Sequence, residues 1–199
     1  MANANVPSGL SPAGYIGGAP WNGQVRLYYI PAADTNAYAI GDPVTLAGGA
    51  DAAGVASVIL MTPGGGWIGA IVGMGGEKYG GPSVDPTNLN TTVIPATKTK
   101  AYYVLVADDP NIIFEVQEIG TGTALTAAEV GLNANLVAGT NSGYLSGWLL
   151  TNTTEAATAT LDVKLLGLSQ SVTPNAFGAY AKWLVLPNYH LYRAGNIGV

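Results

Sequence analysis

This sequence predicts an all-β protein: an antiparallel β-sandwich or jelly-roll-like body over residues 25–199, an extended N-terminal arm over residues 1–24, and at most one short helix. Three observations carry the prediction. Short segments rich in Val, Ile, Thr and Tyr recur along the chain, from QVRLYYI through WIGAIVGM and AYYVLVA to AKWLVL. The breaks between them are Gly, Pro, Asp and Asn, and the connections are too short for the crossover helices that parallel strands need. Almost nowhere do apolar residues recur at the helical period of 3.6.

Residues 1–24 carry no charge and are built largely from Ala, Asn, Gly, Pro and Ser, with Pro7, Pro12 and Pro20 spaced through them. No regular element is expected there. Tyr15 and Trp21 favour an arm ordered against something else over a disordered tail, because disordered tails are poor in aromatics. Ala52 to Gly76 is a long uncharged stretch, but Pro63 and Gly64 to Gly66 divide it into pieces too short to cross a membrane as helix, so it is expected to be a hairpin. An outer-membrane barrel is the minor alternative, and the opening MANANVPSGL, with neither basic nor apolar leader character, argues against export.

The stretch YYVLVADDPNIIFEVQE holds four of the twelve acidic residues. Pro110 fixes its φ near −65°, which suits the second position of a type I turn, with Asp109 first and Asn111 third. A hairpin turn is therefore expected in place of a catalytic or metal-binding carboxylate cluster. Glu115 and Glu118 fall on opposite faces of the following strand, which also disfavours convergence. Further on, Thr126 and Glu129 have the spacing of a capping box and Gly131 that of a stop, predicting about a turn of helix over Ala127 to Val130. In ATATLDVKLL, Ala159, Leu161, Val163 and Leu165 alternate with Thr158, Thr160, Asp162 and Lys164, the pattern of a strand with one wet face.

Several chemistries are disfavoured by what the sequence lacks. With no Cys there are no disulfides, zinc thiolates or thiol nucleophiles. Seven basic residues are scattered against a net charge of −5, so no stripe exists to neutralise nucleic-acid phosphates. GGGWIG satisfies a dinucleotide fingerprint only formally, because no helix can start inside it, and GMGGEKYGG lacks the Lys-Ser/Thr ending of a P-loop and is expected to be a flexible loop. His190 is the sole histidine, no G-x-S-x-G elbow accompanies it, and a strand-end or contact role is expected for it. The sequons at Asn90 and Asn152 are read as loop composition. No cofactor is called for.

Charged residues make up only 10% of the chain, against an ordinary share of about 25%. A surface so poor in charge suggests cover by other subunits. Contact residues are expected among the aromatics: Tyr15, Trp21, Tyr28, Tyr103, Trp148, Tyr189 and Tyr192. Adjacent pairs such as Tyr28-Tyr29 and Tyr102-Tyr103 must split across two faces of a strand. Ring stacking on carbohydrate is the competing use of an outward ring.

Three stretches, AYAIGDPVTLAGGADAAGVASVI, YYVLVADDPNIIFEVQE and NAFGAYAKWLVLPNYHLYRAGNIGV, together with the opening MANANVPSGLSPAGYIGGAPWNGQVRLYYIPAAD, resemble the cement or decoration proteins of tailed-bacteriophage heads. The resemblance implies a non-enzymatic virion protein with a β-sandwich or jelly-roll body, made in the bacterial host cytoplasm. It would sit on the outer capsid surface, clamp neighbouring major capsid proteins and associate with itself as a dimer or trimer, binding neither nucleic acid nor membrane. A carbohydrate- or receptor-binding β-domain of a virion fibre or spike is the alternative, and a hydrolase using scattered carboxylates ranks last.

Overall fold

The computed structural model describes residues 3–74, 93–170 and 174–193. GMGGEKYGG beyond Met74 and the Asn90 sequon lie outside the described residues. In chain order the first strands are β1 (Ser11–Tyr15), β2 (Arg26–Ile30), β3 (Tyr38–Ala39), β4 (Pro43–Ala50), β5 (Ala56–Leu60), β6 (Gly69–Met74), β7 (Val93–Ile94) and β8 (Tyr102–Ala107). After them come β9 (Ile112–Gln117), one 3-10 turn (Ala127–Glu129), β10 (Asn133–Ala134), β11 (Leu136–Val137), β12 (Leu149–Leu150), β13 (Val163–Leu168) and β14 (Lys182–Pro187). The all-β class holds.

Five of these strands close a small barrel in the order β2-β5-β4-β6-β8, and five form an open sheet in the order β1-β9-β14-β13-β10. Two short pairs, β3 with β7 and β11 with β12, flank them. Among the named strands pairing is antiparallel except for the β2–β5 contact, Tyr29 opposite Ser57, which closes the barrel, and isolated parallel bridges join Ile40 to Leu145, Trp67 to His190 and Glu118 to Leu150. β5 and β6 are not neighbours, because β4 pairs with both. The expected hairpin across Pro63 to Gly66 is therefore a connection over the barrel end. Gly69 is required there: its φ is 153°, and a Cβ would sit 2.1 Å from the Ala107 carbonyl oxygen.

Alternation explains both cores. Tyr28, Ile30, Val44, Val58, Ile71, Val104 and Val106 fill the barrel, while Phe114, Val116, Leu165, Trp183 and Val185 line the inner face of the open sheet. An apolar lumen inverts the polar-inside pattern of an outer-membrane barrel. Trp67, fully buried, joins the two regions: its ring lies 5.8 Å from Phe114, its Nε1–H donates to the Asp162 carbonyl at 3.0 Å, and its backbone pairs with Tyr189 and Leu191.

The N-terminal segment is more structured than its composition predicts. β1 pairs with β9 from Ser11 opposite Glu115 to Tyr15 opposite Ile112, and Leu10 is buried in the sheet core. SPAGY has weak strand propensity, and tertiary pairing overrides it. Nearer the start, Val6 N–H donates to Gln117 Oε1 at 2.8 Å and the Asn3 side chain donates to the Ala176 and Ala179 carbonyls. Residues 3–15 thus lie along their own sheet.

The turn at Asp109 is present, with Ile112 N–H donating to the Asp109 carbonyl at 3.1 Å and Asn111 N–H to Asp109 Oδ1 at 2.8 Å. It is not a hairpin. β8 belongs to the barrel and β9 to the sheet, so the turn passes the chain between them. Asp162 also departs from expectation. The strand starts only at Val163, and Asp162 is wholly buried where its carboxylate accepts from Gly64 N–H at 3.0 Å and Leu136 N–H at 2.8 Å.

Candidate interaction surface

The seven aromatic residues expected at contacts divide into two groups. Tyr28 (1% exposed), Tyr103 (8%) and Trp148 (4%) are core side chains and offer no ring to a partner. The reason is the closed barrel. Tyr28 points into its lumen, and Tyr103, on the outer wall, is covered by Tyr29 at 5.7 Å and by the loop whose Asp51 accepts its hydroxyl at 2.7 Å. Trp148 packs in the sheet core. The split of adjacent tyrosines is as expected, but the outward ring of the first pair is Tyr29 and that of the second is overlaid.

Tyr15, Trp21 and Tyr189 are half-buried, and Tyr192 is exposed. Tyr15 and Trp21 pack on the sheet core, and the Tyr15 hydroxyl donates to Asn22 Oδ1 at 3.0 Å. Trp21 Nε1 is buried without a hydrogen-bond partner. Tyr192 stands at the mouth of a cleft of about 340 Å³ lined by Arg26, Asp108, Asp109 and Pro110. There Tyr28 donates its hydroxyl to Asp108 Oδ2 at 2.5 Å, the Tyr192 hydroxyl lies 2.8 Å from that of Tyr28, and Arg26 pairs with Asp108 at 3.2 Å. Burial and the Asp108 hydrogen bond push the Tyr28 phenol far above its ordinary value, so it stays protonated. This cluster bolts β2, the end of β8 and the segment after β14 together.

Most other carboxylates bind the chain itself. Asp34 pairs with the fully buried Lys98 at 2.9 Å, and Asp51 accepts from Ala53 and Val55 N–H. Glu118, fully buried, accepts from Leu125 N–H, Asn152 Nδ2 and Trp183 Nε1, and its burial raises its pKa. Glu115 accepts from the Ser169 hydroxyl, and Glu129 completes the capping box with Thr126. Among the described residues no three His, Asp or Glu side chains gather where a metal ion could be held. His190 is buried, with Nε2 2.8 Å from the Ile68 carbonyl and Nδ1 accepting from Tyr192 N–H, and burial lowers its pKa to about 4.

Comparison with protein-family models, curated proteins and solved structures finds no match to the chain.

Among the described residues the exposed large apolar side chains, besides Tyr192, are Val6 (58% exposed), Ile16 (52%), Val130, Tyr144 and Phe177. Val6 and Ile16 bracket the strand β1 at the outermost position of the open sheet, and Phe177 lies beside Asn3, whose side chain bonds to Ala176 and Ala179. A search confined to aromatics misses Val6 and Ile16. The signal for them was a Val before Pro7 and an Ile before Gly17-Gly18 in a segment without charge, where nothing local can cover them. Tyr15 N–H donates back to the Ala19 carbonyl and Pro12 removes one donor, so this edge offers side chains more than a free ladder.

Proposed function

We propose that the chain is a non-enzymatic structural protein of a tailed-phage head, bound to the outer capsid surface and cementing neighbouring major capsid proteins, with self-association as a dimer or trimer there. The observation that carries this reading is the N-terminal sheet edge, where Val6, Ile16 and Phe177 stand exposed on a charge-poor surface. Apolar side chains held outward beside a paired strand are suited to burial against a second protein, and many modest contacts of that kind sum on a lattice. The structural use of the carboxylates also favours it, because Asp34, Asp51, Asp108, Glu115, Glu118 and Asp162 are each already hydrogen-bonded within the protein.

The edge can be tested without unfolding it. Deleting the segment would remove Leu10 from the core, whereas Val6→Glu combined with Ile16→Glu changes only exposed positions. Occupancy on expanded capsids, measured by co-sedimentation, is expected to fall by at least about tenfold, the loss of one contact hot spot. Undiminished occupancy by the double variant, with its circular dichroism unchanged, overturns the reading.

A further inference from the structure

Lys98 lies in the loop between β7 and β8, yet its side chain has 0% exposure, and that of Asp34, in the loop before β3, has 7%. A buried ammonium is costly unless its protons find acceptors. Nζ donates to Asp34 Oδ1 at 2.9 Å, to the Asp34 carbonyl at 2.8 Å and to the Asn36 carbonyl at 2.5 Å. The Tyr38 ring, wholly buried, covers the site from another side, its centroid 5.3 Å from Nζ. An amine enclosed in this way is kept from bulk water and beside a fixed set of neighbours.

One of those neighbours is the Asn36 carboxamide. Asp34 holds amine and amide on a single carboxylate: Oδ1 accepts from Lys98 Nζ, while Oδ2 accepts from Asn36 Nδ2 at 3.0 Å. The Asn36 backbone N–H also donates to Asp34 Oδ1, at 2.9 Å, which fixes the turn that carries the amide. Burial opposes the charge on Asp34, but the hydrogen bonds from Lys98 and Asn36 hold its pKa below the ordinary value. An ionised carboxylate is a poor electrophile and a competent proton acceptor. Asn36 is half-buried and lines a cleft of about 580 Å³ at the end of β5, a route out for a small leaving group.

We propose that Lys98 and Asn36 join in an intramolecular isopeptide bond, with Asp34 as the catalytic proton carrier. Asp34 takes one proton from the Lys98 ammonium, which turns the ion pair into a neutral pair, the change that a dry site favours. The Asn36 side chain turns its Cγ to the freed amine, and Nζ attacks. As the Nζ–Cγ bond forms and the Cγ–Nδ2 bond breaks, Asp34 gives its proton to the leaving nitrogen and takes the surplus proton from Nζ. The ammonia then recovers that proton and leaves as ammonium. The net change converts an ammonium group and a carboxamide into a secondary amide and free ammonium, with no oxidant or cofactor. The bond closes residues 36–98, and with them β3 to β7, into a covalent loop, constraining the unfolded chain as a disulfide would in a protein that has no Cys. It depends on nothing at the N-terminal sheet edge.

Intact-mass spectrometry of the purified chain, denatured before measurement, tests it. The mass is expected to fall about 17 Da below that of the sequence, the ammonia released, and digestion is expected to yield a branched peptide carrying both Asn36 and Lys98. Lys98→Arg keeps a cation at the site but removes the primary amine, and Asp34→Asn removes the proton acceptor. Each is expected to show the full mass of its own sequence. Should either variant fail to fold, the branched peptide of the parent decides alone. A parent of full mass, or a deficit of about 18 Da with Asp34 as the branch point, the water of a Lys98–Asp34 amide, overturns the proposal. So does a deficit that survives Lys98→Arg, as ring closure at Asn22-Gly23 would give.

Discussion

In the barrel every strand has two neighbours, whereas in the open sheet β1 and β10 have one each. The chain between β9 and β13 folds around the sheet through short pairs and turns. That difference sets where charge is buried. Closure lets the barrel fill with aliphatic side chains, apart from Tyr28 and Tyr38, and its ladder satisfies the backbone. The region around the sheet includes loop backbone that no ladder reaches, and buried carboxylates reach it instead: Glu118 takes Leu125 N–H, and Asp162 takes Gly64 and Leu136 N–H. Buried carboxylates serve the barrel too, but beyond the ends of its strands: Asp42, just before β4, takes Ala39 N–H, and Asp108, just after β8, takes the Tyr28 hydroxyl.

The comparison breaks most directly at Trp67, the side chain the two regions share. Trp67→Ala is expected to cost about 3–5 kcal/mol. Urea unfolding followed by fluorescence and by circular dichroism reads the outcome. A single transition that moves as one shows regions that stand only together, while two separated transitions show that each is stable alone.

A smaller effect comes from Asp162, whose pKa burial raises to about 6. A carboxyl with a raised folded-state pKa contributes stability that is complete below its unfolded value, near 4, and is lost as pH rises through 6. Asn imitates the protonated form only in part and does not titrate. The disadvantage of Asp162→Asn relative to the parent is therefore expected to be largest near pH 4 and to shrink by roughly 1–3 kcal/mol toward pH 7. His190, lowered to about 4, runs the other way, its contribution being lost as pH falls from about 6.5 toward 4. That slope is common to both proteins and cancels in the difference. A difference independent of pH would show that Asp162 is not held in the buried carboxylate geometry.

The smallest expected change is at the 3-10 turn in the sheet's covering. Thr126→Ala removes the hydroxyl that accepts from Ala128 N–H and is expected to lower stability by about 0.5–1 kcal/mol, measured by the same urea titration. A cost as large as that of Trp67→Ala would mean that the covering, not the shared tryptophan, holds the sheet.

Local features were legible because their causes are local. Thr126 and Glu129 form the capping box, Gly131 has φ 93°, and Asp109 and Asn111 make their turn, each within a few residues of chain. What was illegible depended on distant partners. Nothing in SPAGY specifies a strand until β9 lies beside it, and nothing in DPNI tells whether its two flanking strands pair with each other or with different sheets. Asp162 reads as a wet-face residue because alternation cannot register two amides arriving from Gly64 and Leu136. The exposed edge was half-legible: the uncharged segment was singled out, but aromatic content pointed to Tyr28, Tyr103 and Trp148, which burial removes, and away from Val6 and Ile16.

The pairing of Ser11 with Glu115 joins residues about 100 positions apart, with the whole barrel made between them. On a ribosome adding roughly 5–20 residues per second, β1 emerges many seconds before the strand it will pair with. Every barrel strand emerges in that interval, β8 last and just ahead of β9, so the sheet edge is completed late, by a segment that has waited unpaired and has had time to meet the matching strand of a sister chain.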